Sequence, residues 1–433
     1  MNVKIDGRRK INSNVIVPPD KSISHRSIMI GSLAKGITEI ENFLFSGDCL
    51  ATINCLKNLG TDIEIRNDKI IVKGNDFNLS APKQILDCQN SGTTTRLLLG
   101  ILSTQEFESI LTGDSSLKKR PMKRVTVPLS QMGAKFEFLE KEDFLPIKVK
   151  GSKKLKPIEY TLPISSAQVK SALIFASLKA EGKSVIKESP KSRDHTELML
   201  KHAGANIKSW EENGIYIVEI LPSQLSSIKI KIPSDISSAA FFIVLALICD
   251  NSSVVIENCI LNPTRTGIID VLKQMGAEIR IENVENRNGE FVGKIVARSS
   301  NLKGVKVDKN DIPRIIDEIP ILAVAAAFAE GKTTIDNASE LRVKESDRIK
   351  TTAQMLRSFG AECYELENGL EIIGSKEKLK SAIVNSYKDH RIAMAASIMA
   401  CAVEGESTIL DADCASISFP NFYDILFSST KKI

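Results

Sequence analysis

The chain has 433 residues, 42% of them hydrophobic and 26% charged. This is a soluble globular composition, too long for one hydrophobic core, and two or three domains are expected. The net charge is +5, with Lys and Arg scattered rather than blocked, too weak a bias to argue for nucleic acid, where a basic face or stripe is expected, and better suited to a mildly basic cleft around a small anion.

Eight cysteines occur without a CxxC pair, beside only four histidines, so buried free thiols and no metal spacing are expected. The N-terminus, MNVKIDGRRK, lacks the apolar stretch of a signal peptide, and the longest apolar run, AAFFIVLALI, is ten residues, too short for a membrane span. A cytoplasmic protein is expected.

After Pro18 and Pro19, DKSISHR sets Lys21, Ser22, His25 and Arg26 at the start of SISHRSIMIGSLAKG, which is apolar enough to be a buried helix. GITEI follows as a strand. LKNLGTDIEI (56–65) reads as the end of an amphipathic helix, a glycine and another strand. The next apolar helix, SGTTTRLLLGILS, is opened by Asn90, Ser91, Gly92 and Thr93, with glycine permitting close backbone approach to a ligand. The cation cluster KKRPMKR (118–124), which holds Arg120, reads by itself as a solvated loop. LSQMGAKFEF (129–138) repeats the helix–glycine–strand pattern.

A third apolar helix, SSAQVKSALIFASLKAEGKS, opens on Ser165, Ser166 and Gln168. KSRDHTE (191–197) places Arg193 and His195 before a helix, by itself an exposed cap with salt bridges, and LKHAGANIKS (200–209) follows. In IPSDISS (232–238) a proline interrupts the strand-like KIKI and leads into ISSAAFFIVLALICDNSS, the fourth apolar helix. Beyond LKQMGAEIRI (272–281), the fifth, DEIPILAVAAAFAEGKTT, opens on Asp317 and Glu318. LRVKESDRIK (341–350) sets Lys344 and Arg348 four apart beside Glu345, which on a helix is ordinarily surface charge. LRSFGAECYE (356–365) precedes the sixth apolar helix, DHRIAMAASIMACAVEGES, opened by Asp389, His390 and Arg391.

The glycines ending the amphipathic helices fall at 60, 133, 204, 276 and 360, in steps of 73, 71, 72 and 84. The repeating unit is strand, buried helix, strand, amphipathic helix, strand, used about six times and divided into two sets of three. With crossings near Pro18 and near 232–238, one lobe is expected to comprise 1–18 plus 233–433 and the other 19–232. Helix N-termini present unpaired N–H groups and a positive dipole end, so they attract anions. Any one of these serines, or Asp317, taken singly reads as a helix cap. Five polar-loaded starts in one repeat family point instead to an anionic ligand.

Together these segments resemble the EPSP synthase (3-phosphoshikimate 1-carboxyvinyltransferase) family. DKSISHR, NSGTTTR, LTGD…KKRPM, SSAQVKSA, RDHTE, NPTR, DEIPILAVAAAFAEG, LRVKESDRI and DHRIAM stand in the family's order between residues 20 and 394, and FPNFYDIL follows. SAQVK, RDHTE and NPTR are similar to the class II branch. The resemblance implies a two-domain inverse α/β barrel, each domain three βαβαββ units whose buried helices aim their N-termini at an interdomain cleft. It implies shikimate 3-phosphate-binding residues in 19–232, and in the discontinuous lobe the catalytic acidic residues together with phosphoenolpyruvate-binding ones. The implied reaction passes the enolpyruvyl group of phosphoenolpyruvate to the 5-hydroxyl of shikimate 3-phosphate through a tetrahedral ketal. Phosphate leaves, and the product lies on the route to chorismate and the aromatic amino acids. No metal or organic cofactor is implied, glyphosate is the implied inhibitor, and a monomer with no nucleic-acid or membrane partner is expected.

Both substrates are polyanions, which calls for several Lys and Arg, with Arg where a carboxylate or phosphate is gripped by two N–H groups. The resemblance puts Lys21, Asn90, Gly92, Arg120, Gln168, Arg348 and Arg391, together with Arg96, around phosphoenolpyruvate. It puts Lys21, Ser22, Arg26, Gln168, Asp317 and Lys344 on shikimate 3-phosphate, whose phosphate falls to Ser165, Ser166 and Arg193. Asp317 matches the base on the 5-hydroxyl and Glu345 the acid, later base, at the methylene carbon. Lys21 matches the group that protonates or neutralises the departing phosphate.

Some members carry a lysine just before the FP near the C-terminus, where this chain has Ile417 and Ser418. Class I members carry an asparagine four residues before the motif lysine, where this chain has Glu340. Gly92 stands where some glyphosate-insensitive members have alanine, so tolerance stays open. A UDP-N-acetylglucosamine enolpyruvyl transferase would have cysteine where Ser115 stands and asparagine after the first lysine, where Ser22 stands. A non-catalytic anion binder would be favoured by loss of Asp317 or Glu345, and both are present.

Overall fold

The computed structural model describes residues 1–66 and 69–432 and divides into two units. A flanking unit comprises Met1–Pro18, Pro233–Arg287 and Phe291–Ile433; a middle unit comprises Pro19–Ile232 with Asn288–Glu290.

The middle unit holds three four-stranded sheets on one plan. In one, Leu86–Asp87 pairs in parallel with Glu108–Thr112, next to which lie Ile147–Lys150 and Lys135–Phe138, both pairings antiparallel. Parallel neighbours need a crossover, and the apolar helix Gly92–Leu102 supplies it. The amphipathic helix Lys123–Met132 joins the second strand to the hairpin. Glu159–Thr161 and the strands after it repeat the plan. The sheet containing Lys35–Glu41 takes its parallel strand from the far end of the unit, Lys229–Lys231.

In the flanking unit, Arg9–Asn14 lies between Ser253–Ile260, in parallel, and Thr430–Lys432, antiparallel. Val3–Asp6 pairs antiparallel with Glu406–Leu410, which also pairs in parallel with Ile383–Asn385. A third sheet holds Gly331–Ile335, Gly369–Gly374 and Glu362–Leu366. Among the described residues none of the six sheets closes on itself, so the wall of each unit is built from separate open sheets.

The six apolar segments form the helices Lys21–Leu33, Gly92–Leu102, Ala167–Ser177, Ile236–Ile248, Ile319–Phe328 and His390–Ala402. All thirteen residues of Ile236–Ile248 are buried, as an all-round apolar sequence requires. Gly60, Gly133, Gly204, Gly276 and Gly360 have φ of 86°, 111°, 88°, 94° and 86°. Each ends its helix in the positive-φ region that side chains resist. Gly100 serves packing instead: a Cβ there would lie 2.2 Å from the Ala172 carbonyl oxygen, so two buried helices touch backbone to backbone. All eight cysteines are buried and free. Among the described residues no helix is long and apolar enough to cross a membrane.

Candidate active site

In the middle unit, polar side chains gather at three buried helix starts. Asp20 caps the first helix, its carboxylate accepting from the Ile23 N–H at 2.8 Å, so Ser22 is not the capping residue. Lys21 Nζ lies 3.1 Å from Asp48 Oδ2. Arg26 is buried; its Nε donates to Thr196 Oγ1 at 2.7 Å and its Nη2 to Ser171 Oγ at 2.9 Å.

At the second start Ser91 is the cap, accepting from the Thr94 N–H at 3.1 Å. Arg120 Nη2 donates to the Asn90 side-chain oxygen at 2.8 Å. Arg96 Nη1 donates to Gln168 Oε1 at 2.7 Å, and the Gln168 amide donates to Thr93 Oγ1 at 3.0 Å. A Cβ on Gly92 would lie 2.8 Å from Arg96 Nη1 and 3.4 Å from Arg120 Nη1. Asn90, Gly92, Arg96, Arg120 and Gln168 are therefore one cluster. At the third start Ser166 is the N-cap residue but makes no side-chain cap bond. The Ser165 hydroxyl donates to the Pro190 carbonyl at 2.5 Å, on the loop that carries Arg193.

In the flanking unit, Asp317 lies in the turn between the short helix Ile312–Ile315 and Ile319–Phe328. Its Oδ1 is 3.4 Å from Arg348 Nη1 and 3.8 Å from Lys344 Nζ, and its Oδ2 is 3.9 Å from Arg391 Nη2. Arg348 Nη2 donates to Glu345 Oε2 at 2.6 Å and its Nε to Asp389 Oδ2 at 2.9 Å. Asp389 also caps the helix His390–Ala402, accepting from the Arg391 N–H at 2.9 Å. Glu318 accepts the Ser237 hydroxyl and lies 3.8 Å from Arg391 Nη1. Asp317, Glu345 and Asp389 thus surround the buried Arg348 guanidinium, and Lys344 and Arg391 join the group through Asp317.

Burial works against the charge on Arg348, but Asp389, Glu345 and Asp317 outweigh it and raise its pKa, so it stays a cation at any working pH. Burial alone would raise the Asp389 carboxyl; the Arg348 charge overcomes that and holds it below its ordinary value. Lys344 is lowered by burial, with Arg348 adding to the effect and Asp317 opposing it.

Four local readings of the sequence change. The α-helix in LRVKESDRIK begins only at Arg348, capped by Asp347; Ser339–Val343 is a 3₁₀ turn, and Lys344 and Glu345 lie in the link. Arg348 is 1% exposed rather than surface charge, because carboxylates meet its nitrogens. Arg120 is buried rather than solvated, held by Asn90 and Ser116. His195 is the first residue of the helix His195–His202 and is buried, not an exposed cap, with Nδ1 2.6 Å from Glu290.

Two charged residues went unassigned. Asp48, the partner of Lys21, sits in the first turn of Gly47–Asn58, where an acid reads only as a match to the helix dipole. Arg265 of NPTR is 1% exposed and donates to Asp235 at 2.8 Å and Ser237 at 2.9 Å, beside Glu318; the motif was visible but the partners are distant in sequence. Among the described residues no group of three or more His, Cys, Asp or Glu is placed to hold a metal.

Cations and hydroxyls at the starts of buried helices, in repeated α/β units with a carboxylate set among cations, define a protein class built to act on small polyanions. The family model for EPSP synthase (3-phosphoshikimate 1-carboxyvinyltransferase) matches residues 5–426, and the chain belongs to that family. It is 93% identical, over all of both chains, to the 3-phosphoshikimate 1-carboxyvinyltransferase of Caldicellulosiruptor bescii. It is 51% identical to that of Thermoanaerobacter pseudethanolicus, over 98% of this chain and 99% of the other. The EPSP synthase structure from Acinetobacter baumannii superposes with a TM-score of 0.87 at 40% identity, covering 99% of each chain, and the fold is EPSP synthase-like α/β. The enolpyruvyl transferase NikO from Streptomyces tendae, with a TM-score of 0.78 at 13% identity over 99% of this chain and 98% of that one, shares the fold alone.

Proposed function

We propose that the chain transfers the carboxyvinyl group of phosphoenolpyruvate to the 5-hydroxyl of shikimate 3-phosphate, the reaction for which its curated relatives are named. The observation that carries this reading is the Asp317 carboxylate among Lys344, Arg348 and Arg391, with Glu345 on the same guanidinium.

In the addition step the 5-oxygen bonds to C2 of phosphoenolpyruvate while the methylene carbon takes a proton. Asp317 takes the hydroxyl proton and Glu345 delivers the methylene proton. In the elimination step the bond from C2 to the phosphate oxygen breaks and Glu345 recovers a proton from the new methyl group. Lys21 gives a proton to the departing phosphate oxygen, and it regains one from solvent as Asp317 releases the proton it took from the hydroxyl, so the two steps sum to the hydroxyl's proton leaving with phosphate. Proton transfer by positioned carboxylates fits this ledger.

Lys21, Asn90, Gly92, Arg120, Gln168, Arg348 and Arg391 hold phosphoenolpyruvate. Ser22, Arg26, Gln168 and Lys344 contact shikimate 3-phosphate, with its phosphate on Ser165, Ser166 and Arg193. The middle unit thus carries most of the shikimate 3-phosphate contacts, and the flanking unit carries the acidic pair. Glyphosate, also a small polyanion, takes phosphoenolpyruvate's contacts, and the enzyme is a cytoplasmic monomer.

The test is phosphate release with both substrates present. Asp317→Asn and Glu345→Gln are each expected to lower kcat by about 10²–10⁴-fold in a folded protein. A wild-type rate in the double variant overturns the mechanism. Binding of both substrates by the unaltered chain with no phosphate released would establish an anion-binding protein instead.

A further inference from the structure

We infer that Lys170 and Glu188 are positioning residues that clamp Ser192 and so set Arg193 for the phosphate of shikimate 3-phosphate. The inference rests on the proposed function, which places that phosphate on Arg193.

Lys170 lies in the buried helix Ala167–Ser177, and its N–H donates to the Ser166 carbonyl at 2.9 Å. Its side chain is 0% exposed, yet it reaches no solvent-facing partner. The ammonium is 2.5 Å from Glu188, 2.8 Å from Glu197 and 3.3 Å from the Ser192 carbonyl oxygen. Glu188, at the end of the strand Ser184–Glu188, accepts the Ser192 N–H at 2.9 Å on one oxygen and the Ser192 hydroxyl at 2.7 Å on the other. Two buried ions therefore occupy the N–H, the carbonyl and the hydroxyl of the residue immediately before Arg193.

The same ammonium holds the other side of Arg193 as well. Glu197 is in the first turn of His195–His202, so Arg193 and Asp194 are spanned between two attachments to one lysine. Ser165, two residues before that lysine's helix, bonds the same loop at Pro190. A helix start that supplies Ser165 and Ser166 is thereby locked in register with the loop that supplies Arg193. An apolar side chain would fill the site of Lys170 with less desolvation cost, since buried ion pairs rarely improve on hydrophobic packing. What an apolar residue could not do is bind the loop backbone. Two bonds of this cluster run to that backbone, from Lys170 to the Ser192 carbonyl and from the Ser192 N–H to Glu188, which ties it to the placement of Arg193 rather than to core filling.

The experiment compares Lys170→Met, Glu188→Gln and Arg193→Met in the full chain, with folding followed by circular dichroism. Lys170→Met and Glu188→Gln are expected to raise KM for shikimate 3-phosphate about ten- to a hundredfold, with KM for phosphoenolpyruvate within about twofold of wild type. The dissociation constant of shikimate, which lacks the phosphate, should not change. Lys170→Met combined with Arg193→Met should bind shikimate 3-phosphate no more weakly than Arg193→Met alone, because the clamp acts through Arg193.

An unchanged KM for shikimate 3-phosphate in the folded clamp variants, beside a raised one in Arg193→Met, overturns the clamp and leaves the reading of Arg193 standing. An unchanged KM in Arg193→Met overturns that reading itself. Equal losses for both substrates reduce Lys170 and Glu188 to general structural residues and overturn the inference. If Lys170→Met does not fold, Glu188→Gln, which keeps shape and one acceptor, decides the matter by the same comparison.

Discussion

Lys344 carries its charge under pressure. Burial lowers its pKa, Arg348 adds to that, and Asp317 only partly restores it. The ammonium therefore gives up its proton below the ordinary lysine value of about 10.4. If the charge holds substrate, kcat/KM is full at neutral pH and declines on the alkaline side below that value. Lys344→Arg keeps the cation and is expected to remove the alkaline limb; a limb identical to wild type in that variant counts against the assignment. Stability runs in the opposite sense. Between the folded and unfolded pKa values the unfolded chain binds the extra proton, so the penalty from Lys344 shrinks as pH rises through that window. Much of this site was legible because Lys344, Glu345 and Arg348 stand in one short motif. The burial of Arg348 was not, since the groups that neutralise it include Asp389, 41 residues away.

Among the elements, two glycines separate conformational strain from crowding. Gly133 has φ of 111° and nothing within 4 Å of an added Cβ, so Gly133→Ala is expected to cost about 1–3 kcal/mol through backbone strain alone. Gly100→Ala would put a methyl group 2.2 Å from the Ala172 carbonyl, and only displacement of a whole helix relieves that. A loss of about 3 kcal/mol or more is expected there. Chemical denaturation of both variants checks the order, and a larger loss for Gly133→Ala would contradict it. The helix–glycine–strand repeat could be read from sequence because a positive φ is a local demand that glycine answers locally. Sheet membership could not. Lys229–Lys231 joins Lys35–Glu41 across nearly the whole middle unit, and no spacing rule announces a parallel pairing of that range. The 3₁₀ turn before Arg348 escaped for a similar reason, because its charges fit a helix face equally well.

For the whole molecule, the chain's first residues belong to sheets completed by its last ones. Arg9–Asn14 is the strand between Ser253–Ile260 and Thr430–Lys432, and Val3–Asp6 covers one side of Glu406–Leu410. Removing residues 1–14 exposes the edges of those sheets. Hydrogen exchange is expected to show lost protection in Ser253–Ile260 and Glu406–Leu410, with the strands of Pro19–Ile232 unaffected. Equal loss in both units would show that they do not unfold separately.

That pairing also sets an order on biosynthesis. Residues 1–18 leave the ribosome ahead of the middle unit, yet their partners include the strand Thr430–Lys432. At about 5–20 residues per second, the wait is on the order of a minute. Throughout it Val3–Asp6 lacks Glu406–Leu410 and Arg9–Asn14 lacks Thr430–Lys432, while residues 19–232 can already assemble their three sheets. The flanking unit thus closes only after the strands of the middle unit are available, and it depends on residues 3–14 staying soluble until Glu406–Leu410 and Thr430–Lys432 are made.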